Sequence, residues 1–277
     1  MQEFTFDSFT LLGDPTLTLP YGTNTNPNWE SNRYLQEDYR IPSGHELTIG
    51  PGVTVRIAPG KAIIIEDGGV LTAEGTSSEH VVITSTGDHW RGIVIEKGGS
   101  AQLNHTVIER ASNGLLLVGN AKAALSSCSV QECKVGISAG FLANVILDGS
   151  SVSDNAQGGI VLFSASAQLT DCEVLRNGTG NWMYGGISHF YDGTVSLSCT
   201  KISDNVGTGI FMDGGVLNMS IPWGGNEITN NEWPRGQIHI DEAWLNIEGG
   251  KNKIVPRNGT DYFIYIRHCQ TLRLNEL

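Results

Sequence analysis

The sequence predicts an all-β solenoid, a right-handed single-stranded parallel β-helix built from coils of about 22 residues. Three observations predict it: a Gly-aliphatic pair that recurs along the chain, two apolar columns that keep the same step, and units too short for a covering helix. The pair stands at Gly92-Ile93, Gly114-Leu115, Gly136-Ile137, Gly159-Ile160, Gly186-Ile187 and Gly209-Ile210, with Gly236-Gln237-Ile238 as a looser copy. Its first intervals are 22, 22 and 23 residues; later ones stretch to 27, 23 and 27. Leu103, Leu125, Leu147 and Leu169 are each 22 apart, followed by Leu197. Five residues after each comes Ile108, Val130, Val152, Val174 or Ile202.

Each unit reads as three short strands with alternating apolar residues, so one side of every strand faces inward. Such a unit can bury that side only by coiling and stacking on its neighbours, with a rise of about 4.8 Å per coil. Asn155, Asn177, Asn205 and Asn231 fall at equivalent turn positions, with Cys133 one coil earlier. Stacked there, their amides bond to one another and to turn carbonyls. A second small column runs Thr106, Cys128, Ser150, Cys172, Thr200. The five cysteines (Cys128, Cys133, Cys172, Cys199, Cys269) lack metal-ligand spacing and read as free thiols. Cys128 and Cys172 lie two coils apart, about 9–10 Å, beyond disulfide reach.

Ile49, Leu71 and Ile93 are also 22 apart, which starts the stack near residue 41. Residues 41–277 are then the parallel β-helix. Residues 1–40 are the tail of an upstream domain, a linker or an N-terminal cap, with Trp29, Tyr34 and Leu35 over the first coil.

The 29 acidic against 17 basic residues, a net charge of −12, exclude a nucleic-acid partner, since nothing could neutralise a row of phosphates. No run of apolar residues is long enough to span a membrane. Met1-Gln2-Glu3-Phe4 lacks the basic and apolar regions of a signal peptide. If Met1 is the native start the chain is cytoplasmic; as a piece of a longer secreted protein it is extracellular or on the cell surface.

The coils resemble the parallel β-helix repeats of the pectin-lyase-like superfamily. Leu47-Thr48-Ile49-Gly50-Pro51-Gly52-Val53-Thr54-Val55, Leu71-Thr72-Ala73-Glu74-Gly75-Thr76 and Trp90-Arg91-Gly92-Ile93 are similar to β-helix modules of large secreted bacterial proteins. Separately, Phe9-Thr10-Leu11-Leu12-Gly13-Asp14-Pro15-Thr16-Leu17-Thr18-Leu19 resembles the segment closing the catalytic domain of gingipain-type cysteine peptidases. That resemblance implies a catalytic His and Cys upstream of Met1, so no residue here inherits those roles. Read without it, Gly13-Asp14-Pro15 is an ordinary turn.

Sugar-cleaving β-helix enzymes, to which the first resemblance points, need carboxylates on the outer face of strands. The outward column beside the Gly-aliphatic strands reads Val94, Leu116, Ser138, Val161, Ser188, Phe211, His239. Two residues on it reads Glu96, Val118, Phe163, Phe190, Asp213, Asp241. Most of this face is apolar and suited to being covered, by residues 1–40, another domain or a second copy. Polar groups gather only near its end, where Asp213, His239, Asp241 and Glu242 form a candidate acidic site able to take calcium or to do acid/base work. No Arg or Lys is evident beside these acids, and the bland reading is a solvated rim.

Rings on loops supply a second candidate, Trp182, Tyr184, Tyr191, Trp223 and Trp233, a composition suited to stacking on sugars, or simply to folding over their own loops. No catalytic residue, resident metal or cofactor is assigned. The expected function is a non-catalytic structural, adhesive or substrate-presenting module of a secreted bacterial multidomain protein, its parent a gingipain-type peptidase. The alternative is a carbohydrate-binding or polysaccharide-cleaving β-helix protein. The expected partners are a polysaccharide or another domain of the same protein.

Overall fold

A computed structural model describes residues 27–179, 181, 183–219, 225–232, 236–248, 251–257, 263–268 and 271–275. Among them the regular structure is entirely β-strand, in coils of about 24 residues that give one strand to each of three parallel sheets. Sheet A has eleven strands, from Asn28–Trp29 to Thr271–Asn275. Sheet B has ten, from Arg33–Leu35 to Lys253–Val255, and sheet C ten, from Tyr39–Ile41 to Ile264–Arg267.

The sequence columns are the register columns. Leu103, Leu125, Leu147, Leu169 and Leu197 pair in sheet A. Ile108, Val130, Val152, Val174 and Ile202 pair in sheet B. Ile93, Leu115, Ile137, Ile160, Ile187, Ile210 and Ile238 pair in sheet C. All these side chains are at most 2% exposed and belong to one continuous core.

Two expectations upstream require correction. Ile49, Leu71 and Ile93 do not share a column: Leu71 pairs with Leu47, Ile49 with Ala73, and Ile93 lies in sheet C opposite Ile63. Glycine turns and the insertion ending at Trp90 lengthen the early coils, so that Ala62 pairs with Gly92, thirty residues on. The stack also begins before residue 41, because Asn28–Trp29, Arg33–Leu35 and Tyr39–Ile41 already pair with the second coil. Trp29 is buried in the core with Tyr39 edge-on at 4.8 Å and Leu35 packed beside them, whereas Tyr34 points outward, 54% exposed.

The asparagine column is a closed hydrogen-bond ladder. The Asn155 amide Nδ2 donates to Asn177 Oδ1 at 2.9 Å and to the Val130 carbonyl at 3.1 Å, and its backbone N–H donates to Asn177 Oδ1 as well. Asn177, Asn205 and Asn231 repeat the pattern, and Gln237 Oε1 accepts the last pair of donors. These amides are at most 1% exposed, so the ladder satisfies groups that burial would otherwise leave unpaired. It also explains the glycine of the repeated pair. A Cβ at Gly159 would stand 2.9 Å from Asn177 Nδ2 and 2.5 Å from the Gly186 carbonyl.

The second column, Thr106 to Thr200, passes its hydrogen bonds to Asn226 and Asn252. Within these columns Cys128, Cys133 and Cys172 are free and buried, and burial pushes their thiols up to about 11, 12 and 11.

Many corners turn on a non-glycine residue in the left-handed region, and one turns on the pair Phe141-Leu142. All sixteen described non-glycine residues with positive φ fall on three stacked turn columns. His105, Ser127, Asp171 and Cys199 follow sheet A; Arg110, Glu132, Asp154, Arg176, Asp204 and Asn230 follow sheet B. Phe141, Leu142, Ser164, Tyr191, Glu242 and His268 follow sheet C. The N–H of such a residue donates across to the next coil, as Tyr191 does to the Asp213 carbonyl and Glu242 to that of Arg267.

Candidate functional site

The acidic candidate lies along the outer face of sheet C, whose register is Val94, Leu116, Ser138, Val161, Ser188, Phe211, His239, Tyr265. The middle of that face is already covered by the chain itself. The insertion after Asn177 lays Met183 and Tyr184 against Val161, Phe163, Phe190 and Phe211. Tyr184 is therefore a lid on apolar surface, its ring 6.0 Å from that of Phe190. Phe163 stacks on Phe190 at 5.0 Å, and the contacts continue through Phe211, His239 and Tyr265 at 5.4, 5.2 and 4.8 Å. His239 is thus a rung of a ring ladder, 3% exposed.

Asp213 and Asp241 are register partners on adjacent coils, about 4.8 Å apart along the stack. Contrary to the sequence reading, Asp241 has basic company. Arg267 pairs with it in the next coil at 4.0 Å, and His268 Nδ1 lies 3.3 Å from its carboxylate. Burial, then the negative charges of Asp241 and Glu242, raise the Asp213 carboxyl above its ordinary value.

Beyond Asp213 the chain turns from sheet C to sheet A and opens a cavity of about 460 Å³. Tyr191, Asp192, Asp213, Glu242 and Trp244 line it over a floor of Gly193, Gly214 and Gly215. The cavity arises from the turn column. Tyr191 and Glu242 occupy the left-handed position in coils on either side of Gly214, so a missing side chain there leaves a gap between them. Gly214 cannot fill it: a Cβ would stand 2.7 Å from the Tyr191 carbonyl. Tyr191 is 65% and Trp244 43% exposed, so both present open ring surface. Three predicted residues meet here, Asp213 and Glu242 of the acidic group and Tyr191 of the rings. Trp182, Trp223 and Trp233 lie outside the described residues.

Sequence reasoning missed Asp192 as a lining residue, and it missed the outer face of sheet A, which adjoins the cavity through Val216 and Trp244. That face bears Gln168, Thr170, Ser196, Ser198, Asn218 and Asn246 around a further shallow cavity, with Asn246 Nδ2 donating to Asn218 Oδ1 at 2.8 Å. The signal was available as every second residue of the leucine strands. No group of three or more His, Cys, Asp or Glu able to hold a metal ion occurs among the described residues.

The family model described as the right-handed β-helix region matches residues 61–233, more than half of the chain. The chain belongs to this β-helix family. No curated protein and no solved structure matches it. The membership accounts for the stack and its ladders; a fold shared by many activities assigns none to the cavity.

Proposed function

We propose that this β-helix chain is a non-catalytic adhesive module that attaches to a polysaccharide through the Tyr191–Trp244 cavity and the polar face of sheet A beside it. The observation that carries this reading is the pairing of two exposed rings with carboxylates in one cavity of small-ligand size, within the usual ~300–1,000 Å³. Rings offer flat apolar surface to the C–H face of a sugar, and carboxylates, amides and hydroxyls take its hydroxyl groups. The rigid stack supplies the backing, since each coil is held on both sides. On this reading the module works outside the cell within a longer secreted protein, its parent the gingipain-type peptidase that residues 9–19 suggest.

Retention on a panel of immobilised polysaccharides tests the proposal. The native chain should be retained, and Tyr191→Ala with Trp244→Ala should abolish retention without shifting the melting temperature. Equal retention of native and doubly substituted chains would sink it. A polysaccharide-cleaving reading has one observation in its favour, the raised proton affinity of Asp213 beside the carboxylate of Asp241. It predicts that native protein releases new reducing or unsaturated ends from a polysaccharide, and that Asp213→Ala and Asp241→Ala do not.

A further inference from the structure

We infer that the Tyr191–Trp244 cavity selects a protonated amine carried on a flat ring, that is, an amino-sugar unit of a polysaccharide; the inference rests on the saccharide-binding reading above. Three carboxylates, Asp192, Asp213 and Glu242, line the cavity, and among the described residues no Lys, Arg or His forms an ion pair with any of them. Arg267 and His268 are turned to Asp241 instead. Among the described residues that charge has no paired cation, and burial first, then the charges of Asp241 and Glu242, raises the Asp213 carboxyl.

No three His, Cys, Asp or Glu among the described residues converge closely enough to hold a metal ion. Carboxylates spread around about 460 Å³ suit an organic cation. Tyr191 and Trp244 favour the same occupant, since an aromatic face attracts both the C–H face of a sugar ring and an ammonium group.

A second observation comes from below the floor. His189 is fully buried at a core position between Leu162 and Met212. Its Nε2 meets the Ala165 carbonyl at 3.1 Å, while its Nδ1 is without a hydrogen-bond partner. That nitrogen faces the cavity floor: a Cβ on Gly215 would stand 3.1 Å from it. Burial lowers the proton affinity of the imidazole against the pull of the Ala165 and Gly214 backbone, Asp192 and Asp213. Among the described residues no cation pairs with these carboxylates, which leaves that place to one carried by a ligand.

The test is calorimetric titration of the full chain with three hexamers of matched length: glucosamine, N-acetylglucosamine and glucose. The glucosamine hexamer should bind about tenfold or more tightly than the other two, and added salt should weaken it. Asp213→Asn and Glu242→Gln together should erase that preference, bringing the glucosamine hexamer to the affinity of the other two. Equal binding of all three hexamers would overturn amine selection and leave saccharide binding standing. Amine preference that survives the double substitution would place the charge recognition elsewhere and also overturn it. Binding of no hexamer overturns it too. Loss of retention on the polysaccharide panel as well would remove the saccharide-binding reading beneath it.

Discussion

His189 shows how one polar residue is accommodated in an apolar stack, and it ties the stability of that stack to pH. Its neighbours in the column are Leu162 and Met212, and it is accepted because Gly193 and Gly215 leave room for the ring. A Cβ at Gly215 would stand 2.5 Å from His189 Cε1. Burial holds its proton affinity below the ordinary histidine value, with the Ala165 and Gly214 backbone and Asp192 and Asp213 pulling the other way. Below that ordinary value, about 6.5, the unfolded chain takes up a proton that the folded chain refuses. The stability at stake is complete above the ordinary value and is lost as pH falls through it. His189→Met should therefore flatten the acid limb of stability, seen as a smaller difference between urea midpoints at about pH 5 and about pH 7.5 than in the native chain. An unchanged difference would assign the acid limb to other groups. The same residue marks the limit of sequence reading. Histidine two positions before Tyr191 looks no different from an exposed one until the register places it inward, and Asp192 and Trp244 become neighbours only through the gap at Gly214. Asp213 and Glu242 were legible as an acidic group, and Tyr191 as a ring on a turn. Their common cavity was not, because it is created by a side chain that is absent.

At the scale of the coil, stability comes from repetition along columns, and the columns are unequal. Asn177→Ala would strip the partner from two buried donors of Asn155 and the side-chain donor from the Val152 carbonyl, while Asn205 Oδ1 would keep only the backbone N–H of residue 177. A buried unsatisfied group costs about 1–3 kcal/mol, so the substitution should destabilise by at least about 3 kcal/mol. Arg176→Ala offers the contrast on the same turn. It removes a two-pronged ion pair to Asp154 at 2.7 Å, but both side chains are about half-exposed, at 53% and 43%, and such pairs are worth about 1 kcal/mol or less. Denaturant midpoints of the two variants should rank in that order, and comparable losses would contradict the ladder's role. The ladder was readable in the sequence because period and residue type coincide, and so were the core columns. The left-handed corners were not. Tyr, Phe, Arg and Cys are poor choices for positive φ, at roughly 1–2 kcal/mol each, so local preference points away from them. Tyr191, Phe141 and Arg176 are held there by the hydrogen bond that the N–H makes to the next coil, a tertiary cause with no local signature. The early coils were misread for a related reason: insertions change the spacing between columns without changing the strands.

For the whole molecule, a stack in which each coil touches only its neighbours makes stability depend on position along the axis. Interior coils are sealed from both sides: Leu147, Val152 and Ile160 are fully buried. In the last described coil Ile254 and Ile264 are only partly buried, and Ile266 is 39% exposed, though their register partners Ile228, Ile238 and Ile240 are fully buried. Three ion pairs tie that coil to the one before it, Lys253 to Glu227, Arg257 to Glu232 and Arg267 to Asp241, yet all are surface pairs of small worth. The same chemistry should therefore have opposite weight at the two places. Leu147→Asp puts an unpaired charge where nothing can solvate it and should cost more than about 4 kcal/mol, with loss of cooperative unfolding. Ile266→Asp turns a side chain that already meets water and should cost about 1 kcal/mol. Native-state hydrogen exchange gives the test at coil resolution. Amides of 264–267 should exchange through a local opening insensitive to Leu147, while amides of 145–147 should exchange only near the global limit. Equal protection in both coils would mean that the stack unfolds as one unit, with nearest-neighbour contacts too strong to let an end coil part from the rest.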